Sequence, residues 1–256
     1  MVISDNKVVL VERAEKVVYQ DGAKVIKAFK PSKPASDVLN EALNLSRIAE
    51  AGVAAPKVIE VSQTEDGGWA LSHEFIPGTT VRKLMDEADA AKKSEILAKF
   101  VDLQVSVQNT KAPALLNSQR AKFKTMIEKV KDLDPTQRYE LEMRADRMRG
   151  HHFICHGDFN PSNVIIGEDG KAYVVDWAHV TRGLPEADAA MTYILFKMYH
   201  ADQAEEYLDL YSAKADMPKQ KIMYWVPVVA AAELARGRKD SEEMLKSFVE
   251  ATNDYE

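Results

Sequence analysis

The 256-residue chain has only one cysteine and no long apolar run. One thiol cannot form an internal disulfide, and the strand-like surroundings of Cys155 favour packing as a small hydrophobic side chain over a role as a nucleophile. The longest apolar run, residues 224–232, is interrupted by Pro227, and the amino terminus has no apolar stretch of signal-peptide length. We therefore expect a cytoplasmic protein that does not enter a membrane.

The chain also lacks an excess of positive charge. Its formal net charge is −6, and the lysines and arginines of residues 122–149 are interleaved with acids. That pattern is typical of a solvated helix face and gives no footprint for nucleic acid. Local cations or a metal ion must therefore hold any anionic substrate.

Residues 156–176, HGDFNPSNVIIGEDGKAYVVD, contain two short β-prone runs separated by turn formers, which predicts a hairpin. A turn centred near Asp169 and Gly170 would place Asn163 opposite Asp176 at the open end. An amide oxygen and a carboxylate are hard ligands of the kind that Mg²⁺ accepts. The alternative is a polar turn in which both side chains only cap backbone groups.

Asp158 lies five residues before Asn163, in a loop that contains Asn160 and Pro161. The spacing H-x-D-x-x-x-x-N, followed by a hairpin and a second Asp, matches the protein-kinase catalytic set, in which the first Asp receives the hydroxyl proton. Gly157 replaces the Arg of that set, and Asp-Trp-Ala replaces Asp-Phe-Gly. We therefore predict Asp158 as the catalytic base.

In the amino-terminal part, residues 16–20 and 23–29 are predicted strands joined around Asp21 and Gly22. The second strand reads K-V-I-K at its centre and matches the nucleotide-binding V-A-I-K strand, so Lys27 is predicted to contact phosphates. The alternative is a lysine on a solvated edge. A helix is expected from an N-cap at Ser36 to Gly52, with Glu41 on the flank of its apolar stripe or exposed to solvent.

HGDFNPSN, VVDW and GLPEADAA together closely resemble the aminoglycoside phosphotransferase and choline kinase-like family of small-molecule kinases, in particular its uncharacterised bacterial branch. The resemblance implies an α+β, bilobal, protein-kinase-like fold. A small β-rich lobe with one main helix would span residues 1–77 and bind nucleotide. A larger, mostly α-helical lobe would span residues 78–256 and bind the acceptor.

The resemblance also implies roles for further residues. Glu41 would hold Lys27 toward the phosphates, and His156 would organise the catalytic loop by hydrogen bonding. Asp188 would brace that loop, although an acid in the first turn of a helix is the ordinary alternative. The hinge that binds the nucleotide base would consist of Glu74, Phe75 and Ile76.

The sequence departs from the resembled pattern in two places: the segment that would cover the phosphates, and a pair of residues in the helical lobe. Residues 11–16, VERAEK, lack the glycine-rich loop, and Gln104 and Gln108 stand where a leucine-histidine pair is common.

Helices are expected at residues 81–88, 94–109, 118–133, 135–149, 186–199, 202–212, 218–236 and 241–250.

The predicted reaction transfers the γ-phosphoryl group of ATP or GTP, with Mg²⁺, to a hydroxyl of a small acceptor such as an aminoglycoside, an amino alcohol or a sugar. One alternative is a catalytically silent nucleotide-binding module that regulates a partner. A protein kinase is the other, but no A-P-E segment and no evident activation loop follow Asp176. The sequence does not indicate an oligomeric state.

Overall fold

The computed structural model describes residues 1–150 and 152–251 of the chain. They divide into two compact units: unit 1 holds residues 1–81 and 162–179, and unit 2 holds the remainder. The expected mixture of a β-rich amino-terminal part and a mostly helical remainder is confirmed. The lobe boundary between residues 77 and 78 stays a prediction; the units differ from it in that residues 162–179 belong to unit 1.

Unit 1 contains most of the strands, and unit 2 contains most of the helices. In chain order the strands are β1 (Val8–Glu12), β2 (Lys16–Asp21), β3 (Lys24–Phe29), β4 (Val58–Gln63), β5 (Trp69–Glu74), β6 (Gly78–Thr80), β7 (Phe153–Cys155), β8 (Val164–Gly167), β9 (Ala172–Val174) and β10 (Thr181–Gly183). The helices are α1 (Ala35–Glu50), α2 (Val81–Asp86), α3 (Ala90–Gln108), α4 (Gln119–Lys129), α5 (Pro135–Asp146), α6 (Pro185–Tyr199), α7 (Ala204–Lys214), α8 (Lys219–Met223), α9 (Val226–Leu234) and α10 (Glu242–Glu250).

The main sheet of unit 1 has five antiparallel strands in the order β1-β2-β3-β5-β4. Helix α1 packs on it through an apolar stripe, and Val38 and Ala42 meet Phe29 and Leu71 in a common core. The predicted N-cap at Ser36 is wrong, because α1 begins at Ala35 after the extended backbone of Pro34. Proline fixes a φ angle that suits the residue before a first helical turn.

A second, three-stranded sheet in unit 1 has the order β6-β8-β9. Strand β6 starts at Gly78, where a β-carbon would clash with the backbone of Ile166 on β8. The glycine after Pro77 is therefore needed for the close pairing of β6 with β8.

In unit 2, helix α6 is buried along most of its length and packs against α7 and α9. The ring centroids of Phe100 and Phe196 lie 5.9 Å apart, and the Phe100 ring also lies 4.7 Å from the tilted ring of Phe159. Because Phe159 directly follows Asp158, this aromatic cluster anchors the predicted catalytic loop in the core of the unit.

The helix expected at residues 218–236 is two helices, α8 and α9. Pro227 explains the break, because proline lacks the N–H that a continuous helix needs and its ring clashes with the carbonyl four residues earlier. In the structure it occupies the first turn of α9, where neither penalty applies. Across the described residues, no helix combines the length and the apolar character that a bilayer crossing requires.

Candidate active site

Lys27 and Glu41 form a buried ion pair in unit 1. Lys27 comes from the central strand β3 and Glu41 from α1, and the Nζ and Oε1 atoms lie 2.6 Å apart. Each residue is only 7% exposed, which excludes the alternative readings of a solvated edge and of a surface acid. A charge buried to this extent requires a partner, and each of these residues supplies one to the other.

The same lysine also binds Asp176. Lys27 Nζ donates to Asp176 Oδ1 at 2.8 Å, and Lys16 Nζ lies 3.7 Å from Oδ2. Burial alone would raise the pKa of Asp176, but the charges of Lys27 and Lys16 outweigh it and hold that pKa well below its usual range. Burial would likewise lower the pKa of Lys27, but Asp176 and Glu41 raise it above its usual value. Lys27 and Asp176 are therefore both ionised at neutral pH.

The backbone at Asp176 is left-handed, with φ at +63°. Few residues other than glycine adopt this region, and those that do are mostly Asn and Asp. The conformation ends β9 and leads into a short 3₁₀ turn at Trp177–His179. Strain of this kind is common where a side chain must point into a functional site.

The predicted hairpin exists, but its expected register is wrong by one residue. Val164 pairs with Val174 instead of Val175. Consequently Asn163 lies across from Val175, whose N–H donates to the Asn163 carbonyl at 2.9 Å. The turn from Gly167 to Lys171, closed by an N–H···O bond of 2.8 Å, is centred on Asp169 and produces the shift.

Despite the different register, Asn163 and Asp176 line one cavity of about 340 Å³ within unit 1. A carboxylate and an amide oxygen facing one space fit Mg²⁺, which accepts a few oxygen ligands and keeps water or phosphate for the rest. The lining also includes Arg13, Lys16, Lys27, His73, Glu74, Phe75 and Ile76.

The predicted hinge borders this cavity, and three of its backbone groups are already bonded. The N–H of Glu74 donates to Lys57 O at 2.9 Å, and that of Phe75 donates to Ala23 O at 3.0 Å. The Glu74 carbonyl accepts from His73 Nδ1 at 2.9 Å. Ile76 follows these bonded residues and is not part of a strand. Within the part of the chain that the structure describes, its N–H makes no backbone hydrogen bond, so it is the hinge donor that remains for a ligand.

Asp158 lies in unit 2, on a tight turn after β7. Gly157 has a φ of +73°, which a side chain would strain, and this accounts for glycine at a position where kinases have arginine. The N–H of Asp158 donates to His156 Nδ1 at 3.2 Å, and Asn160 Nδ2 contacts Asp158 Oδ1 at 3.3 Å. His156 is 1% exposed, so it is placed to shape the loop from within the core.

A buried network behind this turn includes Asp188. Its Oδ1 accepts from the Gly157 N–H at 2.8 Å, and its Oδ2 accepts from Gln108 Nε2 at 2.9 Å. The Gln108 carbonyl in turn accepts from the Tyr211 hydroxyl at 2.6 Å. Burial raises the pKa of Asp188, and these hydrogen bonds oppose that rise. Asp188 thus contacts the loop directly and does more than cap α6.

A family model described as "Phosphotransferase enzyme family" matches residues 5–221, well over half of the chain. The chain belongs to this family. It is therefore a small-molecule phosphotransferase with an alcohol group as acceptor. No curated protein matches the sequence.

Solved structures similar to this phosphotransferase share its kinase-like fold at low sequence identity. A thermostable mutant of aminoglycoside phosphotransferase APH(4)-Ia has a TM-score of 0.68 at 15% identity, covering 97% of this chain and 94% of that one. LicA in complex with AMP has a TM-score of 0.63 at 15% identity, with 99% and 95% covered. The GDP and kanamycin complex of APH(2")-IIia has a TM-score of 0.60 at 15% identity, with 100% and 94% covered. At these identities the likeness shows the fold alone.

The structure thus brings Lys27, Glu41, Asn163, Asp176 and the hinge together in unit 1 of this phosphotransferase. It brings Asp158, His156 and Asp188 together in unit 2, while the expected position of Asp158 beside the metal ligands stays a prediction.

Sequence reasoning missed two parts of the site. Arg13 lines the cavity from the β1–β2 connection and Lys16 from the first residue of β2, at the place where the glycine-rich loop is absent. The sequence signal that could have identified these two residues is the presence of two cations in the VERAEK segment. Gln108 was noted as a departure, but its bond to Asp188 depends on contacts that are distant in sequence.

Proposed function

We propose that this phosphotransferase transfers the γ-phosphoryl group of a purine nucleoside triphosphate to a hydroxyl of a small molecule, with Mg²⁺. The contact set of Lys27 is the observation that carries the proposal. One buried ammonium group lies within hydrogen-bond distance of both Glu41 and Asp176 and lines the cavity of unit 1. A lysine held in this way is already oriented to contact nucleotide phosphates.

Asp176 and Asn163 would hold the metal ion, since both are oxygen donors in that cavity. When bound, Mg²⁺ neutralises charge that develops on the phosphates. The purine would lie against Glu74, Phe75 and Ile76 and accept a hydrogen bond from the Ile76 N–H. Relatives solved with AMP and with GDP support either ATP or GTP as the donor.

Asp158 would accept the proton of the attacking hydroxyl. The N–H···Nδ1 bond to His156 and the contact with Asn160 fix the backbone and the carboxylate of Asp158. Through Gly157, Asp188 would hold the turn that presents the base. The site would therefore act mainly by positioning and by electrostatic stabilisation.

The acceptor belongs to the class of small hydroxyl compounds, which includes the aminoglycoside bound by one solved relative. A cytoplasmic location is part of the proposal, and the free, buried thiol of Cys155 is compatible with a reducing compartment.

Two substitutions test separate parts of the mechanism. Asp158→Asn tests the catalytic base, and Asp176→Asn tests the metal ligand. Asparagine keeps the shape of each side chain and tolerates the left-handed backbone at position 176. Asp158→Asn should lower Mg-dependent ATP hydrolysis and acceptor phosphorylation about 100-fold or more while Mg-nucleotide affinity stays unchanged. Asp176→Asn should weaken Mg-nucleotide binding, measured by calorimetry, about tenfold or more.

Full turnover by Asp158→Asn would refute the assignment of the base. A wild-type protein that binds Mg-nucleotide but hydrolyses none and phosphorylates no acceptor would instead indicate a silent regulatory module. Phosphorylation of bulk protein in preference to small hydroxyl compounds would indicate a protein kinase.

A further inference from the structure

His73 stands on β5, directly before the predicted hinge, and its side chain lines the cavity of unit 1. In the ladder between β3 and β5 it faces Val25, while Lys27 faces Leu71 two residues further along. Because side chains two residues apart share one face of a strand, the imidazole and the ammonium group of Lys27 project to the same side of the sheet. His73 is 6% exposed, so its ring is part of the cavity wall between the hinge and Lys27.

The two nitrogens of this ring have different surroundings. Nδ1 lies 2.9 Å from the carbonyl oxygen of Glu74, which can only accept a hydrogen bond. Nε2 has no hydrogen-bond partner within the described residues, and it does not belong to the fully buried polar atoms that lack one. It therefore retains access to the cavity that His73 lines.

The surroundings of His73 also decide which nitrogen carries the proton. Burial lowers the pKa of His73, and the charge of Lys27 lowers it further. The hydrogen bond to Glu74 and the charges of Glu41 and Asp176 oppose this shift without cancelling it. The ring is therefore neutral at pH 7, with one N–H group and one lone pair. Since the Glu74 carbonyl binds the N–H group at Nδ1, the lone pair is on Nε2 and is an acceptor open to the cavity.

A structural role accounts for only one of these nitrogens. The bond from Nδ1 ties the ring to the hinge and occupies the Glu74 carbonyl, and the carboxylate of Glu74 is bonded to the Lys57 N–H at 3.1 Å. The imidazole thus takes up a backbone acceptor of the hinge and offers its own lone pair to the cavity instead. This lone pair lies in a cavity wall that includes apolar side chains such as Val18 and Pro56, where an acceptor without a donor costs free energy.

The hinge and His73 together present one donor and one acceptor to the same cavity. The N–H of Ile76 is the donor that remains for a ligand, and Nε2 of His73 is the acceptor. Adenine has the complementary edge, because its N1 acceptor lies beside the amino group on C6. Guanine has the acceptor O6 where adenine has this donor. Two acceptors that face each other repel, and both lose a hydrogen bond to water.

We propose that His73 selects adenine nucleotides, because its Nε2 atom accepts a hydrogen bond from the 6-amino group of the base. The inference rests on the proposed function and narrows the phosphoryl donor from a purine nucleoside triphosphate to ATP. The selection resides in the lone pair of one side chain. Removal of that lone pair should therefore remove the preference, whereas a change in the shape of the cavity alone should not.

Calorimetry of the full chain with Mg²⁺ tests the proposal on the wild-type protein. The probes are ADP, IDP, GDP and purine riboside diphosphate, which has hydrogen in place of the 6-amino group. ADP should bind about tenfold more tightly than purine riboside diphosphate, which lacks only the donor. IDP and GDP should bind about 100-fold more weakly than ADP, because their 6-oxygen places an acceptor against Nε2.

Two substitutions separate the lone pair from the shape of the cavity. His73→Leu keeps an apolar side chain of comparable size but has no acceptor, so the ratio of the affinities for ADP and purine riboside diphosphate should fall to about one. Val25→Ala changes the wall of the same cavity, across the ladder from His73, without changing a polar group. In this control both affinities should shift together, and their ratio should stay at the wild-type value.

Nitrogen NMR of the imidazole gives a readout that a purely structural histidine would not change. The proton should be on Nδ1, and the Nε2 resonance should be that of an unprotonated nitrogen. ADP should shift the Nε2 resonance toward that of a hydrogen-bonded nitrogen, and purine riboside diphosphate should not. The resonances of His73 are assigned by their loss in His73→Leu.

A proton on Nε2, or equal affinities of the wild type for ADP, IDP and GDP, would overturn the inference. Mg-dependent hydrolysis separates this failure from failure of the proposed function. If the wild type hydrolyses ATP and GTP equally well, the proposed function stands and only the selection by His73 fails. If no Mg-nucleotide binds, both are wrong.

Discussion

At the scale of single residues, the carboxylate of Asp176 is held between two cations. Its two oxygens face two different lysines, Lys27 at 2.8 Å and Lys16 at 3.7 Å. Lys27 is fixed by Glu41, whereas Lys16 has about a quarter of its side chain exposed and sits where kinases place the glycine-rich loop. Under the proposed function, Lys16 would turn from Asp176 toward the phosphates of the nucleotide.

We expect Lys16→Met to raise the KM for Mg-ATP about tenfold, because an ammonium group near the phosphates is lost, with a smaller effect on kcat. Steady-state kinetics at saturating acceptor would measure the change. Lys24→Met removes an exposed lysine from β3 outside the cavity and should leave both parameters at wild-type values. Equal KM values for the two variants would mean that Lys16 does not contact the nucleotide.

At the scale of elements, α3 and α7 hold the turn that carries Asp158 through a chain of buried hydrogen bonds. Gln108 of α3 connects Tyr211 of α7 to Asp188, which holds Gly157. Gln104, one helical turn earlier, bonds Thr192 and Tyr207 at 2.9 Å each and does not reach Asp188. The two glutamines are equally buried but belong to different contacts.

Gln108→Leu and Gln104→Leu therefore form a matched pair. Each should lower the free energy of unfolding by about 1–3 kcal/mol, because each leaves buried polar partners unsatisfied. Only Gln108→Leu should also lower kcat, about tenfold, with the KM for nucleotide unchanged, since only it loosens the turn that carries Asp158. If both variants lose kcat to the same extent, Gln108 contributes only to stability and does not position the turn of Asp158.

The same elements show what the sequence could predict. Lys27 and Asp176 were predicted from a strand motif and from a spaced hairpin motif, which are local signals. Helix periodicity left Glu41 either on the flank of the apolar stripe or exposed, and only the family resemblance paired it with Lys27. The register of β8 and β9 depended on where a five-residue turn closes, and alternation alone does not decide that. To predict that residues 218–236 form two helices, α8 and α9, the helix-breaking effect of Pro227 would have had to be weighted above the apolar periodicity.

For the whole molecule, the cations of unit 2 predict how stability depends on pH. The pKa of Lys122 is about 7 in the folded chain, against an ordinary value of 10.5. Between these values the unfolded chain binds a proton that the folded chain does not, so the free energy of unfolding should rise with pH. From about pH 7 to about pH 9 we expect a rise of about 1–2 kcal/mol, less than the full ~1.4 kcal/mol per unit because the side chain is partly exposed.

Lys122→Met removes this proton difference, so it should be more stable than wild type at neutral pH and should show a flatter profile up to about pH 9. Urea denaturation at several pH values would measure both, with Lys129→Met as the control that keeps the wild-type slope. Such a result would show that this phosphotransferase retains a lysine that costs stability at neutral pH. Identical slopes in all three proteins would mean that Lys122 keeps an ordinary pKa in the folded chain.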